Sequence, residues 1–207
     1  MIAIVDYGVG NLFSLRSSLA FIGVESKVTN CPDDFGMADK IILPGVGAFG
    51  DAMQKLRQSG LISVLQAQVE QGKPLLGICL GMQLLFEHSR EFGSNQGLGF
   101  IKGEIHALDG ALEAAGFSYK VPHMGWNPLN ILNNRSPLMK YTRPGESFYY
   151  VHSFYAAECD ESIVATSEYG IAVPGVVQCK NIYGTQFHPE KSGKCGLAML
   201  KAFAEVS

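Results

Sequence analysis

Apolar positions along this chain follow two different patterns, and the change between them falls near Gly93. Before it, short apolar runs alternate with stretches in which apolar residues recur every three or four positions. Ile2 to Val5, Lys40 to Leu43 and Leu75 to Ile78 are short and continuous, as strands buried on both faces of a parallel sheet must be. Val24 to Thr29 predicts a further, more polar strand. Between them, Leu12, Leu15, Leu19 and Ile22 mark one face of a helix that Gly23 stops. Helical patterns also run from about Asp51 to Arg57 and from Leu61 to Gln71, ended by Gly60 and Gly72. After Cys79 the apolar residues Leu80, Leu84 and Leu85 predict another helix, reaching about Arg90.

Beyond Gly93 the runs shorten and turn residues separate them. Gly99 to His106, Gly125 to Leu132, Ser147 to Tyr150, Ile163 to Thr166 and Gly175 to Cys179 predict antiparallel strands that extend the sheet or cover one edge. Asn181 to Phe187 predicts one more strand, and a final helix turns Leu197, Leu200, Phe203 and Ala204 inward. Alternating strands and helices followed by short strands predict an α/β fold. Its core is an open, mostly parallel, twisted sheet with helices on both faces, flavodoxin-like, with antiparallel strands added in the C-terminal half. No linker, repeat or low-complexity stretch interrupts residues 1–207, so one domain is expected.

Composition narrows the function. With 47% hydrophobic residues, 17% charged residues and a net charge of −3, the chain has the make-up of an ordinary globular protein. No Lys/Arg stripe suggests nucleic acid, and no apolar run approaches a membrane span. The five cysteines (Cys31, Cys79, Cys159, Cys179, Cys195) are odd in number and lack C-x-x-C spacing. That speaks against a disulfide framework and a zinc site, and for a reducing cytoplasm. The pair Gly8-x-Gly10 invites a dinucleotide reading, but Phe13 stands where the third glycine would fall. No metal or cofactor is therefore expected.

Chemistry gathers at the carboxyl ends of the predicted parallel strands, where open α/β sheets bind ligands. Cys79 lies at a strand-to-helix junction between Gly77 and Gly81, the arrangement of a nucleophile elbow with Cys in place of Ser. A tight turn there demands small flanking residues. A buried core cysteine is the plainer reading of the same position. His188 and Glu190 follow the last strand two residues apart, with Pro189 between them. In an extended segment that spacing puts both side chains on one side, as a base and the carboxylate orienting it require. A solvated surface loop is the alternative. Leu80 N–H, at the helix start, is a candidate oxyanion donor. Pro44-Gly45-Val46-Gly47 is either a second such donor loop or simply a tight turn. Trp126 suits an interface anchor or a half-buried core position equally well.

Taken together, Gly77-Ile-Cys79-Leu-Gly81-Met-Gln83 and Phe187-His188-Pro189-Glu190 resemble the class I, triad-type glutamine amidotransferases. Four further segments are similar to the glutaminase subunits of imidazole glycerol phosphate synthases: Asp6 to Leu12, Pro44 to Phe49, Val121 to Asn127 and Tyr150 to Ser153. The likeness runs from residue 2 to about 192 with no departure at a motif position. It implies a Cys79–His188–Glu190 triad that hydrolyses L-glutamine through a thioester. It implies an oxyanion strand at Val46 and Gly47 working with Leu80, and a glutamine site made by Gly45, Gln83, His152, Ser153 and Phe154. It also implies a heterodimer with a (β/α)₈-barrel cyclase subunit that consumes the ammonia in histidine biosynthesis. Tyr7, Gly10, Asn11, His123, Trp126, Asn127 and Lys191 are then expected at the partner surface. Subunits feeding other synthases would share the triad but not the four segments. A flavodoxin-like binding module that had lost catalysis would need neither.

Overall fold

The computed structural model describes residues 1–206. In chain order it builds β1 (Ile2–Val5), α1 (Leu12–Phe21), β2 (Ser26–Thr29), α2 (Pro32–Met37), β3 (Lys40–Gly45), α3 (Phe49–Gln58), α4 (Leu61–Glu70) and β4 (Leu75–Cys79). Then come α5 (Leu80–Gln83), β5 (Phe86–Ser89), β6 (Asn95–Gln96), β7 (Ile101–Ala107), α6 (Leu108–Ala114), β8 (His123–Pro128) and β9 (Asn130–Ile131). The chain closes with β10 (Ser147–His152), β11 (Phe154–Ala157), β12 (Ile163–Tyr169), β13 (Ile171–Cys179), β14 (Ile182–Thr185) and α7 (Gly193–Ala204).

The main sheet has eight strands in the order β2-β1-β3-β4-β14-β13-β12-β9. From β2 to β14 neighbouring strands run parallel, and β13, β12 and β9 add antiparallel strands beyond them. The flavodoxin-like α/β class is what the alternating pattern predicts. Period-two alternation divides the core in two. Ala3, Val5, Ile41, Leu43 and Leu75 face one way, against Phe35 of α2, Met53 and Leu56 of α3 and Leu65 of α4. Ile2, Ile4, Ile42, Leu76 and Ile78 face the other, against Leu15 and Leu19 of α1 and Leu200 and Phe203 of α7. Of the strands after Gly93, β9, β12, β13 and β14 extend the main sheet, while the others fall in two small separate sheets, β10-β8 and β11-β7-β5-β6, the second of which also takes in β5. Among the described residues, no helix is long and apolar enough to cross a membrane.

Three local expectations are corrected. The helix after Cys79 does not reach Arg90: α5 ends at Gln83 and β5 begins at Phe86. Leu98 N–H donates to Leu84 O, and Phe100 and Ile101 N–H both donate to Leu85 O, taking carbonyls a continuing helix would need. Residues 32–37, for which the sequence pattern predicts no element, form α2, with Pro32 in its first turn beside Asp33 and Asp34. In α7 the buried stripe is Gly196, Met199, Leu200, Ala202 and Phe203, while Leu197 and Ala204 are only half-buried.

Candidate active site

Sheet register brings the predicted chemistry together. Gly45 of β3 is the partner of Cys79 at the end of β4, and Thr185 of β14 is the partner of Ile78. The chain leaving β14 therefore delivers Gln186, Phe187 and His188 beside Cys79. Cys79 itself has φ 54° and ψ −113°, a left-handed conformation that L side chains adopt at a cost. The close approach around it accounts for the glycines. A Cβ on Gly45 would stand 2.6 Å from Gly81 N, and one on Gly77 would stand 2.6 Å from Gly81 O.

The sulfur opens into a cavity of about 420 Å³ whose wall includes Val46, Gly47, Leu80, Gln83, Glu91, Phe92, His152, Ser153, Phe154, His188 and Lys191. A wider depression of about 710 Å³ beside α6 is lined chiefly by small residues and brings no nucleophile to its wall. Cys79 Sγ lies 3.9 Å from Val151 O and 3.9 Å from Gln186 Nε2.

His188 is held at both its ring and its backbone. Its Nδ1 is 2.9 Å from Glu190 Oε1, and both side chains are 3% exposed. Its N–H donates to Tyr149 O, while Ser192 Oγ donates to its carbonyl at 2.6 Å and accepts Tyr149 N–H at 2.9 Å. Pro189 to Lys191 is a 3₁₀ turn, so the expectation of an extended segment is corrected. The turn itself folds Glu190 back beneath the imidazole. Burial alone would lower the His188 pKa, but Cys79 and then Glu190 outweigh it and raise it to about 9. The sulfur on one side and the carboxylate on the other both favour the protonated ring.

Gln83 is buried, and both its amide hydrogens are committed, to Phe154 O at 2.9 Å and Gln186 Oε1 at 3.1 Å. What it offers a ligand is its carbonyl oxygen. Glu91, Ser192 and Gln186 also reach the site, and no local motif marks them. Glu91 is buried at the cavity wall, with Oε2 accepting Phe49 N–H at 2.6 Å. Burial raises its pKa, the Phe49 N–H lowers it in part, and Asp51 raises it further. Glu91 directly follows the stretch to Arg90 for which the pattern predicts a helix.

Of the residues expected at a partner surface, Trp126 is 58% exposed, and Lys191 opens to solvent beside the cavity. Asn11 and Gly10 are half-buried in the loop after β1, where Asn11 Oδ1 accepts Ser14 N–H to cap α1. Tyr7 and His123, expected at the same surface, are both buried in this chain. Tyr7 Oη donates to Pro44 O at 2.8 Å, tying the loop after β1 to the loop after β3. His123 sits inside, against His152. Asn127 is half-buried and bonded inward. Elsewhere Glu104, His106 and Glu158 could converge on a cation, but Glu104 is already paired with Arg90 at 2.8 Å.

A family model described as glutamine amidotransferase class-I matches residues 3–205. The imidazole glycerol phosphate synthase subunit HisH of Bacillus licheniformis is 48% identical over 208 aligned positions, covering 100% of this chain and 97% of that protein. The HisH subunits of Bacillus cytotoxicus and Listeria monocytogenes are 50% and 49% identical, with 95% and 96% of their lengths covered. A solved glutamine amidotransferase superposes with a TM-score of 0.74 at 18% identity, covering 100% of both chains. The PurLQS structure from Thermotoga maritima superposes with a TM-score of 0.71 at 20% identity, covering 98% of this chain and 96% of that one. At those identities the two superpositions speak for the fold. With a cysteine elbow facing a His–Glu pair, and near half identity along its whole length to curated subunits, the chain belongs to the class-I glutamine amidotransferase family and groups within it with the HisH subunits.

Proposed function

We propose that this chain is the glutaminase subunit of an imidazole glycerol phosphate synthase, and that residues 1–207 act as one amidotransferase domain. The observation that carries the reading is Cys79, strained on its elbow and facing one cavity with His188, whose Nδ1 meets Glu190 at 2.9 Å. Cys79 Sγ attacks the carboxamide carbon of L-glutamine, and His188 protonates the nitrogen as the C–N bond breaks and ammonia leaves. Water, deprotonated by His188, then cleaves the γ-glutamyl thioester to give L-glutamate and restore Cys79. Glu190 holds the ring's orientation and stabilises its charge.

The tetrahedral oxyanion takes hydrogen bonds from Leu80 N–H and from the Val46–Gly47 segment, beside Gly45. Gly47 stands at φ +95° with nothing within 4 Å of a would-be Cβ, so the segment has room to turn its N–H in or out. Losing one such donor costs about 3–4 kcal/mol, so an isolated chain with the segment turned out hydrolyses glutamine roughly a hundred- to thousandfold more slowly than the complex. Glutamine's ammonium fits Glu91, and its remaining polar groups meet Gln83 Oε1 and the His152-Ser153-Phe154 turn.

The ammonia passes to a (β/α)₈-barrel cyclase subunit in a heterodimer. That subunit forms imidazole glycerol phosphate and an aminoimidazole carboxamide ribotide, a step of histidine biosynthesis. Gly10, Asn11, Trp126, Asn127 and Lys191 supply the contact face, with Tyr7 and His123 supporting it from below. The five free thiols accord with a cytoplasmic setting. The test is Cys79→Ala in the reconstituted complex. Glutamine hydrolysis should vanish while synthesis driven by added ammonium salt persists. Loss of both activities in an assembled complex overturns the division of labour.

A further inference from the structure

Behind the cavity wall lies a hydrogen-bond chain that the proposed mechanism does not use. Asn127 Nδ2 donates to Glu168 O at 2.8 Å and lies 3.2 Å from His123 Nε2. His123 Nδ1 lies 3.0 Å from His152 Nε2, and His152 Nδ1 lies 2.9 Å from Phe154 O. Both ends are backbone carbonyls, which only accept, and that sets every direction between them. Phe154 O requires a proton on His152 Nδ1. Neutral His152 then has a bare Nε2, which requires a proton on His123 Nδ1. Neutral His123 has a bare Nε2, which accepts the second amide hydrogen of Asn127.

Both rings are held neutral. Burial pushes His123 down to about 4. Burial, then the neighbouring His123, pushes His152 down to about 3, with the Phe154 carbonyl opposing and His188 adding slightly. Stacking fixes the His123 ring plane: it lies between Tyr150, at 4.8 Å and 16°, and Tyr169, at 4.0 Å and 18°. At the far end Phe154 O accepts from both His152 and Gln83 Nε2.

We propose that His123 is a positioning residue for the glutamine pocket: its Nδ1–H selects the Nδ1–H form of His152 and so pins the Phe154 carbonyl that Gln83 also grips. Without that donor, His152 is free to carry its proton on Nε2, and a bare Nδ1 then faces Phe154 O with two lone pairs opposed. The carbonyl swings, Gln83 loses its anchor, and the wall of the pocket shifts. The inference rests on the glutaminase reading, because the pocket is assigned to glutamine there.

Two substitutions separate this role from simple packing. His123→Phe keeps an aromatic ring between the tyrosines but has no donor. His123→Asn loses the stacking but presents an amide N–H near the position of Nδ1. L-Glutamine binding is measured by calorimetry in a Cys79→Ala chain, which cannot hydrolyse it. Removing one buried donor should weaken binding about tenfold in His123→Phe. His123→Asn should recover most of that loss. The opposite order, or equal effects, overturns the proposal. Long-range ¹H–¹⁵N NMR of His152 should show the proton on Nδ1 in the parent chain and in His123→Asn, and a shift toward Nε2–H in His123→Phe. A parent chain with His152 protonated on Nε2 also overturns it. A parent chain with the assigned tautomer but no affinity for glutamine refutes the glutaminase reading instead.

Discussion

Adding one methyl group at two glycines should change stability in opposite directions. Gly81 lies where α5 crosses β3, and its Cβ would fall inside the van der Waals envelope of Leu43 O. That oxygen is backbone in a central strand and cannot step aside as a side-chain tip can. Overpacking typically costs about 1–3 kcal/mol, and a clash of backbone against Cβ belongs at the upper end, so Gly81→Ala should cost about 3 kcal/mol. That is a large share of the roughly 5–15 kcal/mol that holds a domain together. Gly110 is also helical, in α6, but is exposed, with nothing within 4 Å of a would-be Cβ. There the alanine only relieves glycine's entropic penalty, and Gly110→Ala should gain about 0.5–1 kcal/mol. Urea unfolding of both variants gives the measurement. With a urea slope of about 2–3 kcal/mol/M, the Gly81→Ala midpoint should fall by about 1 M while the slope stays constant. Glutamine hydrolysis should fall with it, because Gly81 directly follows the residue after Cys79 and any relief of the clash moves the elbow. A Gly81→Ala chain as stable as its parent would show that β3 and the elbow do not approach as closely as the backbone here requires.

Three further outcomes are expected. The His188 imidazole should titrate near pH 9 by NMR and distinctly lower in Cys79→Ala, with Glu190→Gln less damaging to hydrolysis than His188→Ala; an unchanged midpoint would remove the sulfur from its surroundings. His123 and His152, at about 4 and about 3 when folded, take up protons more readily in the unfolded chain, so stability should fall as pH drops below about 6.5 and level off beneath the folded values. Between pH 7 and 5 each ring contributes about 2 kcal/mol of that loss on the usual 1.36 kcal/mol per unit, and a flat denaturation profile across this window would contradict their burial as neutral rings. Trp126→Ala, at a side chain 58% exposed, should leave unfolding within about 0.5 kcal/mol of the parent yet weaken binding of the proposed cyclase subunit at least tenfold, as calorimetry or gel filtration would read.

The parallel strands were legible because each is buried on both faces, and burial of that kind leaves a continuous apolar run such as Ile2 to Val5. Helix ends were legible where Gly23, Gly60 and Gly72 take positive φ that other residues avoid. Leu84, Leu85 and Phe86 defeated the reading for a different reason. All three are fully buried, so their apolar character marks depth and carries no period. Only the incoming Leu98, Phe100 and Ile101 backbone settles their shape. Cys79, His188 and Glu190 stood out through local motifs. Glu91, Gln186 and Ser192 owe their places to contacts that local sequence does not encode. Tyr7 and His123 belong to segments expected at a partner surface, and their rings are buried in this chain.

The position of β14 between β4 and β13 has a consequence for the chain as it emerges from a ribosome. Gln186 and Cys79 are 107 residues apart, yet they lie at the ends of neighbouring strands. Until β14 is made, β4 has only β3 beside it, and its other edge is an apolar template with free backbone donors and acceptors. The elbow can form early, but its histidine and the closure of that edge arrive together and late. Nascent or C-terminally truncated chains therefore pass through a state in which the sheet is open and prone to pair with other chains. Premature proteolysis or a stop before residue 182 should yield inclusion bodies rather than a smaller soluble domain. By the same placement, the thiol meets its base only in a molecule whose sheet is already sealed.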